Sequence, residues 1–326
     1  MSWVITGGAG YIGAHVIRAM AKEGIPVVVL DDLSTGDPDR LPAGVTLVTG
    51  STLDRELLDR VMAEHEVEGV LHIAAKKQVG ESVEQPLRYY RENVEGLRVV
   101  LEAAAAAGVR RFLLSSSAAV YGMPDVETVT EDTPCAPMSP YGETKLVGEW
   151  LVKATGRAHN MGTVSLRYFN VAGAATPELS DPGVFNLVPM VFERLTSGRA
   201  PLVFGADYPT ADGTCVRDYI HVADVADAHV AAVRRLRDRP DDTELVLNIG
   251  RGVGVSVREM LDVIGRVTGL DATGEVVARR AGDPARVVAS ADLIAKELGW
   301  TADYDVDEMI ASAWAGWQLR HPSAES

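Results

Sequence analysis

Residues 2–32 run SWVITGGAGYIGAHVIRAMAKEGIPVVVLDD, and the order of this stretch narrows the fold more than any other feature of the chain. Residues 3–6 are apolar, GGAGYIG follows, and Ile12, Val16, Ile17 and Met20 then recur at helical spacing until Gly24. A second apolar run, 27–30, ends in Asp31-Asp32. Strand, glycine turn, helix, strand, acid is the layout of a dinucleotide-binding βαβ unit. The glycines read as Gly7, Gly10 and Gly13, or as Gly8, Gly10 and Gly13, and both readings leave backbone N–H groups open at a helix start for a pyrophosphate. Asp31, 18 residues beyond Gly13, suits a ribose 2′-hydroxyl and repels a 2′-phosphate, so the cofactor expected is NAD rather than NADP.

The alternation continues, with strands expected over 45–48, 69–74 and 111–115 and helices over 55–66 and 91–107. Strands separated by single helices predict an α/β fold with a doubly wound parallel sheet. Ligands of such sheets lie at the carboxyl ends of the strands. Two segments leave strands at that edge, AAKKQVGES after Ile73 and SSSAAVYG after Leu114, and both should face the cleft of the glycine turn.

A net charge of −15, from 31 basic and 46 acidic residues, argues against nucleic acid or an anionic membrane as partner. No segment reaches the roughly 20 apolar residues needed to span a bilayer, and the N-terminus lacks the layout of a signal peptide. Cys135 and Cys215 fall in no motif, which predicts cytoplasmic thiols. His15, His72, His221 and His229 sit in apolar or helical contexts that favour structural histidines, and no metal site is expected.

The chemistry concentrates in SPYGETKLVGEW, residues 139–150, where Tyr141 and Lys145 share one face of an expected helix. A nearby cation favours phenolate and an oxidised nicotinamide adds a second positive charge when bound, which together would let Tyr141 act as a base near neutral pH. Ser117, just past the expected end of the fifth strand, can hydrogen-bond a substrate oxygen; by itself such a serine is equally a turn residue.

TGGAGYIG, LSSS, YGETK and LRYFNVAG together resemble the extended short-chain dehydrogenase/reductase family, whose first domain is of the Rossmann type. VGESVEQPLRYYRENVEG, DYPTADGTCVRDYIHVADVADAH and RRAGD are similar to its UDP-glucose (UDP-galactose) 4-epimerase branch, from about residue 2 to His321. The resemblance implies Tyr141 as catalytic base, Ser117 as its partner on the sugar 4-oxygen, and Lys145 on the nicotinamide ribose. It implies cofactor contacts from Gly7, Gly10, Tyr11, Ile12 and Gly13, from Asp31 and Asp32, and from Ser51 and Thr52. Ile73, Ala74, Ala75 and Lys77, with Asn93, Ser115 and Tyr168, complete that set.

For the substrate, the resemblance implies a UDP-sugar held by Lys77, Ser117, Tyr141, Asn170 and Asn186. Leu202, Phe204, Arg217, Arg280, Asp283 and Val287 would line the remainder. Arginines can clamp a diphosphate, an aromatic ring can stack on uracil, and an aspartate can accept ribose hydroxyls. Ser51 stands where the family often has an aspartate and Ala119 where threonine is frequent. Val287, four residues after Asp283, occupies the position that closes the sugar pocket, where a valine leaves room for a 2-acetamido group that a tyrosine would exclude.

Residues 1–175 are expected to form the NAD-binding domain and 176–326 a smaller α/β UDP-sugar domain, with segments near 218–250 packing back on the first. A homodimer through helices near 91–107 and 141–154 is also implied. Three alternatives remain: a 4-epimerase acting on UDP-GlcNAc and UDP-GalNAc or on both sugar pairs; a 4,6-dehydratase or decarboxylase, which would need an acid–base pair where Ala118-Ala119 follow Ser117; and a non-catalytic NAD-sensing protein, a class that usually loses the Tyr–Lys pair kept here.

Overall fold

The computed structural model describes residues 1–239, 243–280 and 282–322. Residues 240–242 of the 218–250 segment, and Ala281 and 323–326 of the expected second domain, lie outside them. The first part of the chain alternates as β1 (Ser2–Thr6), α1 (Tyr11–Lys22), β2 (Val27–Asp31), β3 (Thr46–Thr49), α2 (Arg55–Glu64) and β4 (Val67–His72). Short helices α3 (Val79–Glu84) and α4 (Pro86–Tyr89) lead through a π-helical turn, Tyr90–Glu95, into α5 (Gly96–Ala106). Then come β5 (Arg111–Ser117), α6 (Pro140–His159) and β6 (Gly162–Tyr168).

The remainder comprises β7 (Asn170–Ala172), α7 (Leu187–Thr196), β8 (Leu202–Phe204), β9 (Val216–His221), α8 (Val222–Asp238) and β10 (Glu244–Ile249). It closes with β11 (Gly254–Ser256), α9 (Val257–Thr268), β12 (Glu275–Val277), β13 (Arg286–Val287), α10 (Asp292–Leu298) and α11 (Val306–Arg320).

Seven parallel strands form the main sheet in the order β10-β6-β5-β4-β1-β2-β3. Strand β1, SWVIT, is buried at all five residues, as a central strand covered on both faces must be. Helices α1 and α8 cover one face, packing Val16, Ile17 and Met20 with Val225, Ala228 and Val233. Helices α2 and α5 cover the other with Leu58, Val61, Leu97 and Val100. The smaller sheet runs β11-β9-β13, with β7 also paired to β9, and β8 pairs with β12. Strand β10 joins the large sheet beside β6, and α8 packs on α1.

Three sequence expectations need correction. The helix expected over 91–107 is regular only from Gly96; before it the backbone widens into a π-helical turn. Strand 69–74 ends at His72, leaving Ile73 and Ala74 in the loop, each bonded through its N–H to the Thr6 carbonyl. Ser117 lies inside β5, because the parallel ladder to β6 continues through Ser117 opposite Tyr168.

Candidate active site at the carboxyl ends of the strands

The β1–α1 turn is built where side chains do not fit. Gly7 has φ +74°, and a Cβ there would stand 2.6 Å from the Ala74 nitrogen. A Cβ on Gly13 would stand 2.3 Å from the Gly7 carbonyl oxygen. The turn therefore lies against the end of β4, and α1 starts tight behind it. Gly10 caps α1 without a side-chain hydrogen bond, which leaves first-turn N–H groups for an anion.

Asp31 closes β2, and its carboxylate accepts from Ala9 N–H and Leu33 N–H, both at 2.9 Å. Burial raises its pKa and these bonds oppose that. Around the turn and Asp31 runs a cleft of about 1060 Å³ open to solvent. Its walls include Gly7, Gly10, Tyr11, Ile12, Gly13, Asp31 and Asp32, then Ser51 and Thr52 after β3. Ile73, Ala74, Ala75 and Lys77 after β4, Tyr141 and Lys145 of α6, and Tyr168 at the end of β6 complete it.

The sequence reading missed Leu30, the 34–36 turn, Gly50, Lys76 and Glu92, which also line the cleft. The strand-end rule could have found most of them, since they lie at or just beyond the ends of β2, β3 and β4. Lys76 reaches across to the Ser34 hydroxyl at 3.0 Å. Two expected contacts are not in the wall. Asn93 uses its amide on the loop instead, accepting from Lys76 N–H at 2.7 Å and donating to the Lys76 carbonyl and to Thr144 Oγ1, both at 3.0 Å. The π-helical turn is where this buried amide leaves the helix, as such turns often do at functional positions. Ser115 is fully buried, with its hydroxyl against His229 Nε2 at 2.8 Å and its carbonyl accepting from Lys145 Nζ at 2.9 Å.

Helix α6 begins with Ser139 as N-cap, accepting from Gly142 N–H, and Pro140 in the first turn. This fixes Tyr141 where β5 ends, with its phenol facing Ser117. Lys145 Nζ lies 5.9 Å from the centre of the Tyr141 ring. Without the charge of a bound nicotinamide, the cation alone does not lower the phenol. Burial raises the Tyr141 pKa, with the Ser117 side chain opposing. Burial also depresses Lys145, from 10.5 to about 8, against the pull of Glu149. Among the protein's own groups, desolvation outweighs the cation's field. The four histidines are bonded within the fold: His72 to Thr6 Oγ1, His229 to Ser115 and the Val225 carbonyl, His15 to the Tyr11 carbonyl and Ala175 N–H, His221 to Ser312 and Ala223 N–H.

A second cluster forms on the smaller sheet. Arg217 on β9 ion-pairs with Asp283, and Arg280 lies over the Phe204 ring at 3.8 Å. Val287 on β13 is in register with Arg217 and buried against Val120, Tyr121 and Phe169. Leu202 and Phe204 share β8 and, two residues apart, one of its faces. Asn170 is exposed at the start of β7, whereas Asn186 caps α7 and lines a separate small cavity with Tyr11 and Trp317.

The glycine cradle, the acid closing β2, and Lys77 and Lys145 fit a dinucleotide, and Tyr141 and Tyr168 stand in the same wall. Asp31 fits a free ribose 2′-hydroxyl and so NAD.

Known proteins agree with this geometry. Two relatives, from Azospirillum brasilense and Streptomyces lividans, are each described as UDP-glucose 4-epimerase. The first is 45% identical over 315 residues, covering 95% of this chain and 90% of the relative. The second is 43% identical over 324 residues, covering 98% and 97%. A UDP-glucose 4-epimerase from Stenotrophomonas maltophila, solved with NAD and formylated UDP-arabinopyranose, superposes with TM-score 0.95 at 38% identity, over 99% of this chain and 100% of that one. A UDP-Glc/GlcNAc 4-epimerase from Campylobacter jejuni superposes with TM-score 0.87 at 33% identity, over 98% and 99%. The sequence profile of the NAD dependent epimerase/dehydratase family matches residues 3–250, and the chain belongs to that family.

Proposed function

We propose that this chain is an NAD-dependent 4-epimerase interconverting UDP-glucose and UDP-galactose. The observation that carries the reading is the buried Tyr141 phenol, facing Ser117 and standing at the wall of a dinucleotide cleft. Full-length similarity to proteins described as UDP-glucose 4-epimerases supports it. When bound, NAD supplies a reversible hydride acceptor for sugar C4. Tyr141 takes the proton of the 4-hydroxyl as C4 is oxidised and returns it after the 4-keto sugar has turned its other face. Ser117 donates to the sugar 4-oxygen and holds it in line with the phenol. Lys145 orients the nicotinamide ribose and adds positive charge near the phenol.

Arg217 and Arg280 balance the substrate diphosphate, Phe204 stacks beside uracil, and Asp283 accepts ribose hydroxyls. Asn170, Asn186, Leu202 and Lys77 complete the substrate contacts. Residues 1–175 hold the cofactor and 176–326 most of the UDP, with Lys77, Ser117, Tyr141 and Asn170 of the first part also reaching the substrate. The protein works in the cytoplasm as a homodimer joined through α5 and α6, where Trp150 is 60% exposed. Light scattering tests the dimer. Valine at 287 favours a second activity on UDP-GlcNAc, and the Campylobacter jejuni relative described for both sugars is in keeping with it.

The deciding experiment incubates purified protein with UDP-glucose or UDP-GlcNAc and follows the 4-epimers by chromatography and mass spectrometry. Conversion without added reductant or oxidant is expected; no conversion of either sugar, even with NAD supplied, refutes the proposal.

A further inference from the structure

Taking the epimerase reading as its basis, we infer that Glu149 is a positioning residue: bonded to Ser116 and Arg167, it fixes the helix bearing Tyr141 and Lys145 against the strand ends bearing Ser117 and Tyr168. Tyr141, Lys145 and Glu149 follow one another at four-residue intervals on α6 and share a face. The last three residues of β5 meet them. Ser117 faces the Tyr141 phenol, the Ser115 carbonyl accepts from Lys145 at 2.9 Å, and the Ser116 hydroxyl donates to Glu149 Oε1.

Arg167 holds the same carboxylate with both arms of its fork, Nε to Oε1 at 2.9 Å and Nη2 to Oε2 at 2.6 Å. It sits opposite Ser116 in the β5–β6 ladder, one residue before Tyr168. Its Nη1 donates to Tyr121 Oη at 2.8 Å, which in turn donates to Asn248 on β10 at 2.7 Å. One carboxylate thus ties the helix to both strands that deliver the reacting groups.

Stability does not explain this pair. A buried ion pair is often no better than apolar residues of the same volume, because desolvation cancels the attraction. Glu149 and Arg167 are each only 5% exposed, and Ser116 is fully buried. What a two-pronged charged contact does supply is fixed orientation, and reaction rates are sensitive to small misplacements. There is also an electrostatic consequence. Lys145 is faced by Tyr141 and Glu149 of its own helix, His72 of β4 and Tyr168 of β6. In the cofactor-free protein burial keeps His72 neutral and pushes both phenols up, so the Glu149–Arg167 pair carries the formal charge near the ammonium there.

The test uses the NAD-loaded protein and Glu149→Gln, which keeps the shape and leaves Arg167 uncompensated. Turnover should fall about 10- to 100-fold with KM within about 3-fold. The alkaline limb of kcat should move to lower pH, since losing the negative charge depresses Lys145 further. Glu149→Asp, which restores the charge, should recover part of the rate. Ser116→Ala removes one hydrogen bond without stranding a charge and should lower kcat several-fold; it decides the matter if Glu149→Gln does not accumulate. A substrate-free reading comes from ultraviolet difference titration of the phenol against Tyr141→Phe, expected to move downward in Glu149→Gln, where the Arg167 charge is left uncompensated, and upward in Ser116→Ala, where the Ser117 effect that lowers the phenol is loosened.

Variants with the rate, pH limb and phenol titration of the unaltered protein overturn the inference. So does a loss of rate that only tracks the loss of folded, NAD-bound protein. If the unaltered protein converts no UDP-sugar, the epimerase reading fails while the phenol titration still decides the role of Glu149.

Discussion

Replacing Lys145 by methionine should stabilise the cofactor-free protein while disabling it. The ammonium is 5% exposed and held at a pKa of about 8 instead of 10.5, chiefly by burial. At about 1.4 kcal/mol per pH unit, keeping it charged at neutral pH costs the fold about 3 kcal/mol. Methionine has a similar stem and no charge, but it leaves the Ser115 carbonyl without its donor. An unmade buried hydrogen bond costs about 1–3 kcal/mol, so the net gain is up to about 2 kcal/mol, worth about 3 °C in a chain of this size.

The pH dependence is the sharper test. Below about pH 8 Lys145 is protonated in both folded and unfolded chains, so the difference between the two proteins is constant. Between about pH 8 and about pH 10.5 the unfolded chain binds the extra proton. The unaltered protein therefore gains stability with pH relative to the methionine variant, by about 3 kcal/mol over the whole window. Urea unfolding of cofactor-stripped protein across that range measures it, and turnover of reloaded protein should fall at least about 100-fold. A methionine variant that is less stable at every pH, by an unchanging margin, would show that burial does not depress Lys145.

Tyr141→Phe removes the proton acceptor and should cost about 100- to 10,000-fold in kcat, with NAD still bound as judged by absorbance of the purified protein. Gly13→Ala forces a methyl to 2.3 Å from the Gly7 carbonyl and should cost about 1–3 kcal/mol along with most of the bound cofactor. Gly24→Ala, strained at φ +66° with nothing within 4 Å, should cost about 1–2 kcal/mol and leave cofactor content alone; thermal melts and nucleotide analysis separate the two. Val287→Tyr should lower UDP-GlcNAc turnover at least about 10-fold relative to UDP-glucose, because added bulk at a buried position is poorly accommodated; an unchanged ratio removes Val287 from the specificity role.

Most of the cofactor cleft was legible because each part is local. A glycine turn, its helix and the acid closing β2 lie within 32 residues, and strand alternation places later loops at the same edge. Asn93 and Ser115 mark where spacing falls silent, because a sequence does not say whether a polar side chain faces the cleft or braces a wall. Asn93 turned out to hold the Lys76 backbone, and Ser115 to hold Lys145. Arg217 and Asp283, 66 residues apart, were both read as substrate contacts, and only the fold reveals their ion pair.

The sequence by itself determined the order of strands and helices, the cofactor class and the tyrosine–lysine pair, since these rest on short-range spacing and on steric rules for glycine. The charge state of that pair was decided by tertiary structure. Spacing suggested a phenol lowered by a neighbouring cation, whereas packing buries both groups, raises the phenol and depresses the ammonium. Desolvation depends on everything that surrounds a group, and no four-residue interval encodes it. The same holds for Glu149, an ordinary helical glutamate in the sequence. It becomes the tie between helix and strands only when Arg167 and Ser116 arrive from elsewhere in the chain.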